Sequence, residues 1–286
     1  GSNVIGGLNN AGTYTAITNQ GTIDTLTNSG NMTTFDNSGS ISTIRNIGSI
    51  NTFNNSETTS LLTNLGSIDT LTNSGTVSSF NNLGTNTLLS NTGNLGTLAN
   101  TGGITEINNS GNISTIRNVR GSIGDIINSD TIGLLSNSGA ITSVSNSGTI
   151  TTFTNLSEIL SVANSGTITT LNNLESGLEF SETLPVNYNV IFRNQGANYG
   201  KLFVTSASGS TELNIASISN VQTGIYNNLI TGVSSEKIVN KTGTLIGNNR
   251  SSVGSVSWRL EESSSGSGVW NLDVSGTYNY FGSVAI

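Results

Sequence analysis

Asparagine recurs every nine residues through the first part of the chain, within the consensus N-x-G-x-I-x-x-Φ-x, in which Φ is apolar. The run 146–154, Asn-Ser-Gly-Thr-Ile-Thr-Thr-Phe-Thr, shows this consensus in full. A nine-residue unit is too small to bury its own apolar side chains, so successive units must stack on one another. The repeat therefore predicts an all-β parallel β-helix, or β-solenoid, with a structural column of asparagines. These are Asn10, Asn19, Asn28, Asn37, Asn46, Asn55, Asn64, Asn73, Asn82, Asn91, Asn100, Asn109, Asn118, Asn128, Asn137, Asn146, Asn155, Asn164 and Asn173.

Two apolar residues in each unit predict the interior of the solenoid. They stand at positions five and eight, as Ile150 and Phe153 do. Stacked coils bring equal positions about 4.8 Å apart, so these residues are expected to form continuous columns. The glycine that is usual at position three predicts a corner with positive φ. Asparagine also tolerates that region, and its stacked amides are expected to hydrogen-bond along their column.

Position two predicts how many units complete one coil. It is apolar in alternate units, as at Ile47, Leu65 and Leu83, and it is mostly serine or threonine in the units between. The pattern therefore repeats every eighteen residues, which favours two units to a coil. A coil of three units, or 27 residues, is the alternative. One residue is inserted near Arg120, and it is expected to bulge at a corner.

The repeat stops after Asn173, and a different composition follows. Aromatic residues become frequent, and segments such as 256–260 and 269–274 alternate between apolar and polar side chains, which is typical of strands. The sequence therefore divides into a β-solenoid, residues 1–177, and a C-terminal β module, residues 178–286. Because the end of a solenoid exposes unpaired strand edges, this module is expected to cap it.

Side chains suited to catalysis or metal binding are scarce. The chain has no histidine and no cysteine, which removes the usual general base, the commonest metal ligand and any disulfide. Its acids are scattered, and the repeat lacks the aspartate of calcium-binding nonapeptides. The net charge of -7 argues against nucleic-acid binding. The sequence therefore predicts no enzyme activity, no cofactor, and no catalytic, cofactor-binding or metal-binding residues.

Both parts of the chain resemble a known family. The repeat N-S-G-T-I-T-T-L resembles the passenger regions of Gram-negative autotransporters and related repeat adhesins. The order of segments 199–204, 229–234, 257–260 and 269–272 is similar to the stretch that follows the repeats in such passengers. The resemblance implies a pertactin-like, right-handed parallel β-helix on a surface-exposed or released protein.

These features together predict a non-enzymatic structural or adhesive protein. It would be a rigid spacer or adhesin, secreted or held at a bacterial cell surface, and would mediate surface attachment, cell-cell contact or biofilm contact. Its partner would be a host or neighbouring cell surface, or another copy of the chain. We expect no nucleic-acid partner and no membrane-spanning segment in this chain. Ice binding or glycan binding by a solenoid fibre is the alternative function.

The position of the repeat also predicts self-assembly. Because the repeat has begun by residue 10, its first coil is expected to be uncovered and to accept an added strand. The aromatic C-terminal segment of another copy, residues 277–286, would supply that strand. Head-to-tail contacts of this kind produce an open filament. The strand-donating residues would be Tyr278, Tyr280, Phe281, Val284 and Ile286.

Overall fold

A computed structural model of the chain describes residues 4–246 and 255–276. The chain divides into two compact units, Gly1–Thr167 and Ile168–Ile286. Strands in the first unit follow the nine-residue repeat, each ending on the repeated asparagine. They are β1 (Val4–Asn10), β2 (Thr13–Asn19), β3 (Thr22–Asn28), β4 (Asn31–Asn37), β5 (Ser40–Asn46), β6 (Ser49–Asn55), β7 (Thr58–Asn64), β8 (Ser67–Asn73), β9 (Thr76–Asn82), β10 (Thr85–Asn91), β11 (Asn94–Asn100), β12 (Gly103–Asn109), β13 (Asn112–Asn118), β14 (Ser122–Asn128), β15 (Thr131–Asn137), β16 (Ala140–Asn146), β17 (Thr149–Asn155) and β18 (Ile159–Asn164).

Within the first unit, strands that lie two places apart along the chain pair in parallel. Ile5 is opposite Ile23, and Thr22 is opposite Ser40, so equal positions of the repeat stack at a separation of eighteen residues. Odd-numbered strands form one sheet and even-numbered strands form the other. The eighteen strands therefore make nine coils of two strands each. The predicted parallel β-solenoid with an eighteen-residue coil is confirmed, and the 27-residue alternative is wrong.

The core lies between the two sheets and is built from three positions of the repeat. Ile23 and Leu26, at positions five and eight of one unit, are buried, and so is Asn28 at the start of the next unit. Positions five and eight are three residues apart, whereas a regular strand turns alternate side chains inward. Position six takes no part in the pairing register; Ile23 and Thr25 have strand partners but Asp24 has none. This local kink lets both apolar columns face the interior.

The second unit begins with parallel pairing and ends with antiparallel pairing. Its strands β19 and β25 flank β21 in parallel, and β20 and β26 flank β24 in parallel. Beyond β26 the order β29, β28, β27 is antiparallel. Trp258, Trp270 and Leu272 of this antiparallel part are buried. The elements are β19 (Thr167–Asn173), β20 (Leu178–Thr183), β21 (Asn187–Val190), β22 (Phe192–Arg193), β23 (Asn198–Tyr199), β24 (Leu202–Ser208), β25 (Glu212–Ile215), β26 (Gly224–Thr231), β27 (Thr242–Ile246), β28 (Ser255–Glu262) and β29 (Val269–Gly276), with 3-10 turns at Asn194–Gly196 and Ser235–Lys237.

Candidate functional site

The repeated asparagines form two buried columns of amides. Asn64 Nδ2 donates to Asn82 Oδ1 at 2.9 Å, and Asn82 Nδ2 donates to Asn100 Oδ1 at 2.9 Å. Throughout the first unit the equivalent bonds measure 2.7–3.1 Å. The same Nδ2 atoms also donate to a backbone carbonyl of the next coil, as Asn64 does to Thr85 at 2.8 Å. Each of these amides therefore bonds to both a side chain and the backbone of the next coil.

The glycines at position three have a different role from the one the sequence predicted. Positive φ occurs at Gly196, Gly232 and four other described glycines, but at no described position-three glycine. The prediction of a left-handed corner is therefore wrong. Instead, a Cβ added at Gly48 would overlap the carbonyl oxygen of Gly30, and one at Gly66 would overlap that of Gly48. Glycine is favoured because successive coils approach so closely at this corner that a side chain must push them apart.

Glu57 and Asp130 carry a side chain at position three, and both show its effect on the coil spacing. The backbone N–H of Thr58, which follows Glu57, donates to Gly39 O at 3.3 Å, and that of Thr131, which follows Asp130, donates to Gly111 O at 3.2 Å. Where other coils form the equivalent bond, it measures 2.7–3.0 Å. A Cβ at this position therefore separates two coils locally without breaking the hydrogen-bond ladder.

The inserted residue near Arg120 bulges at a corner, as predicted. Arg120 lies between β13 and β14, is exposed, and has a φ of 63°. The pairing offset rises to nineteen residues for β12 with β14 and for β13 with β15, and then returns to eighteen. Asn118 still donates to Asn137 Oδ1 at 2.9 Å across the insertion. The extra residue is absorbed outside the core, so the asparagine column continues.

The two corners of the solenoid differ in chemistry at position two. After even-numbered strands, Ser38 Oγ donates to Asn19 O at 3.0 Å and Ser56 Oγ donates to Asn37 O at 3.0 Å, so these hydroxyls tie one coil to the previous one. We name this side the hydroxyl corner; it comprises Ser38, Ser56, Ser74, Thr92, Ser110, Ser129 and Ser147. After odd-numbered strands, Ser29, Thr101 and Ser138 form the same bond to the previous coil, but four apolar side chains at this position project into solvent. This apolar corner consists of Ile47, Leu65, Leu83 and Val119, which are 41–53% exposed.

Two polar residues stand in the apolar columns at position five. Asn86 lies between Ile68 and Ile104, and its Oδ1 is buried without a hydrogen-bond partner among the described residues. Thr59 is also buried, but its hydroxyl donates to Asn55 Oδ1 at 2.9 Å. The two sites therefore differ in whether the polar group is satisfied.

Replacing Asn86 with isoleucine is expected to raise the free energy of unfolding by about 2 kcal/mol. The substitution removes an unpaired buried oxygen, a group that costs about 1–3 kcal/mol, and it restores the apolar column. These gains outweigh the loss of the bonds that Asn86 Nδ2 donates to Ile68 O at 3.0 Å and to Leu88 O at 3.3 Å. Urea denaturation followed by circular dichroism measures the change. Thr59→Val is the matched control and should give no gain, because its hydroxyl is bonded. Equal stabilisation by both variants would contradict the assignment to the orphaned oxygen.

Aromatic side chains cluster inside the second unit. Phe192 and Tyr226 meet edge to face with ring centroids 4.7 Å apart, and Tyr199 meets Tyr226 at 5.2 Å. Tyr188 lies on β21, the strand before that of Phe192, and is fully buried. Asn173 Nδ2 donates to its hydroxyl at 3.5 Å. Burial raises the pKa of Tyr188 far above its ordinary value, and the Asn173 amide opposes that shift only in part.

The buried Tyr188 predicts a loss of stability at alkaline pH. Its folded-state pKa is raised, so its contribution is fully present below the unfolded pKa of about 10 and falls as the pH rises above it. That fall is about 1.4 kcal/mol per pH unit. We expect Tyr188→Phe to lose less stability than the wild type between pH 9 and pH 11 in urea denaturation. Tyr14→Phe, at an exposed tyrosine, is the control and should follow the wild type.

The outward faces of the first unit carry hydroxyls in interrupted rows. At position seven of the odd-numbered strands, Thr25 stacks on Thr43, but the next residue is Leu61. Thr97 stacks on Thr115, which is followed by Leu134. The regular threonine array that would favour ice binding is therefore broken on this sheet.

An open groove lies on the antiparallel sheet of the second unit. Its polar walls include Thr242, Ser257, Arg259 and Asp273, and Trp258 lies at its base beneath Gly243. Trp258 is buried, so its ring does not provide an exposed stacking platform.

Carboxylates come together at one place on the even-numbered sheet. Glu106 lies opposite Asp125, and these side chains are bonded to Asn108 and Ser143 respectively. Over residues 4–246 and 255–276, no group of three or more His, Cys, Asp or Glu side chains could hold a metal ion. The absence of catalytic and metal-binding residues stays a prediction.

The predicted strand-donating residues 278–286 lie outside the described part of the chain. Within the described part, no helix is long and apolar enough to cross a membrane. No protein-family model, curated protein or solved structure matches this sequence.

Proposed function

We propose that this protein is a non-enzymatic, extracellular structural or adhesive protein of a bacterial surface. The observation that supports the proposal best is the continuous parallel pairing of nine coils in the first unit, which the inserted residue near Arg120 does not break. At the strand spacing, nine coils form a rod roughly 40 Å long. Its rigidity comes from stacked side chains and backbone ladders, so it needs no disulfide or metal to stay ordered outside a cell.

The contacts along the rod support a role in display and attachment. The asparagine columns and the hydroxyl corner bond each coil to its neighbour, so the outward positions are held at a fixed spacing. Those outward positions are mainly serine, threonine and asparagine, which present many weak hydrogen-bonding groups to another surface. Repeated weak contacts along a rigid surface add up through multivalency.

Adhesion is tested with latex beads that carry the full chain. We expect these beads to aggregate and to adhere to cultured epithelial cells at least several-fold more than beads carrying the variant Leu71→Asp. This variant places a charge at a fully buried position, so it disrupts the solenoid while leaving composition nearly unchanged. Equal adherence by folded and disrupted chains would overturn the adhesive role.

Head-to-tail assembly is a separate part of the proposal. In this part, residues 277–286 of one copy would pair as an added strand with the edge of a coil in another copy. Electron microscopy of the full chain should show fibres with an axial repeat near one chain length, and deletion of residues 277–286 should abolish them. Single rods, or fibres that survive the deletion, would overturn strand donation.

A further inference from the structure

The cationic side chains of the first unit all lie beside the apolar corner. Residues 1–167 contain three, Arg45, Arg117 and Arg120. Arg45 precedes Ile47 by two residues, while Arg117 and Arg120 flank Val119. All three are exposed, and none forms an ion pair with a described residue. One side of the solenoid therefore has an exposed apolar ridge, formed by Ile47, Leu65 and Leu83 with Val119 beyond Thr101, and uncompensated positive charge beside Ile47 and beside Val119.

The opposite side carries negative charge. Glu57 and Asp130 stand at position three of the hydroxyl corner, and both are exposed. They occupy a position where glycine fits best, and both are followed by a lengthened bond between coils, as described above. The stability of the solenoid does not account for these acids, so their charge calls for another explanation.

The distance along the solenoid between the two positively charged sites matches the distance between the two negatively charged sites. Arg45 is on β5 and Arg117 is on β13, four coils further along. Glu57 precedes β7 and Asp130 precedes β15, which are also four coils apart. Both separations are therefore about 19 Å at the strand spacing.

We propose that the first unit packs side by side with a second copy in the same orientation. The apolar corner of one copy lies against the hydroxyl corner of the next, with Arg45 facing the second copy's Glu57. Arg117 and Arg120 then face its Asp130. The projecting Ile47, Leu65 and Leu83 meet a surface of small residues, serine and glycine. Since each copy uses two different corners, the contact repeats and extends into a row of parallel rods.

A symmetric contact between two apolar corners is disfavoured by the same charges. Arg45 on β5 and Arg117 on β13 lie two coils on either side of Leu83, which directly follows β9. A two-fold axis near Leu83 would place Arg45 of one copy against the second copy's Arg117. Like charges at close range oppose association, whereas the parallel arrangement pairs opposite charges at both levels.

Side-by-side packing involves only the solenoid of the first unit and does not require the adhesive role. It also uses surfaces other than the strand donation proposed for residues 277–286. Deleting those residues should therefore leave lateral association unchanged, so the two assemblies can fail separately.

Charge exchange tests the pairing in the full chain. We expect sedimentation velocity to show association that rises with protein concentration and weakens with added salt. Glu57→Arg with Asp130→Arg should weaken it about tenfold or more, and so should Arg45→Glu with Arg117→Glu and Arg120→Glu. An equimolar mixture of the two variants should associate again, because one now has two cationic corners and the other two acidic corners. All five positions are exposed, and thermal unfolding verifies that the variants fold.

Disulfide trapping tests the arrangement, because the chain has no cysteine of its own. Leu65→Cys lies on the apolar corner and Ser74→Cys lies half a coil further along on the hydroxyl corner. The double variant should oxidise to a ladder of oligomers, and a mixture of the single variants should stop at dimers. Leu65→Cys alone should remain monomeric. Dimers of Leu65→Cys alone, a concentration-independent monomer of the unmodified chain, or no effect of the charge exchanges would overturn the proposal.

Discussion

Replacing Asn82 with alanine is expected to lower the free energy of unfolding by about 3 kcal/mol. Asn82 is fully buried; it accepts from Asn64 Nδ2 and donates to Asn100 Oδ1, both at 2.9 Å. It also donates to Gly103 O at 3.0 Å. Alanine removes these bonds at once and leaves an amide-sized gap, because the coils above and below are held apart by their own backbone ladders. Each buried group that loses its partner costs about 1–3 kcal/mol.

The control for Asn82→Ala is the same substitution at an exposed asparagine. Asn51 lies on the outward side of β6, and Asn51→Ala should change the free energy of unfolding by less than about 0.5 kcal/mol. Urea denaturation of both variants by circular dichroism gives the comparison. If the two variants lost the same small amount, the amide column would contribute little and backbone pairing alone would hold the coils.

The number of units in one coil could be predicted from the sequence because the residue type at position two depends on which of the two corners it occupies. In the first unit, large apolar residues occupy position two only after odd-numbered strands, and the structure shows the reason. Ser38 at one corner binds the previous coil through its side chain, whereas Ile47 at the other corner projects outward. Because large apolar residues occur at only one of the two corners, the pattern indicates two units to a coil.

Other features could not be predicted because they depend on distances between coils. The kink at position six follows from the pairing register and leaves no residue signature, since Asp24, Ser42 and Gly96 all occupy that position. The distances between the charged residues at the two corners can be compared only when the number of residues in a coil is known. Asn86 in the core could be recognised as a break in the isoleucine column, but its unpaired oxygen could not.

The glycine of position three shows how a correct residue pattern can lead to a wrong cause. Glycine is compatible both with positive φ and with close approach of another backbone. A glycine in the sequence is consistent with either reason, and only the distance between coils shows that close approach is the one that applies. The lengthened bonds after Glu57 and Asp130 show how the fold responds when a Cβ is present. They also indicate that a substitution here is tolerated at a cost, without loss of the fold.

We therefore expect Gly66→Ala to destabilise the solenoid by about 3 kcal/mol, because forced overpacking of this kind costs about 1–3 kcal/mol and the obstacle here is rigid backbone. A Cβ at Gly66 would overlap the carbonyl oxygen of Gly48 and approach that of Ile47 at 2.6 Å. The matched control is Gly12→Ala at the same repeat position in the first coil, where a Cβ would meet nothing within 4 Å. If positive φ were the cause, both substitutions would be costly. Because the cause is the neighbouring coil, only Gly66→Ala should lower the urea midpoint.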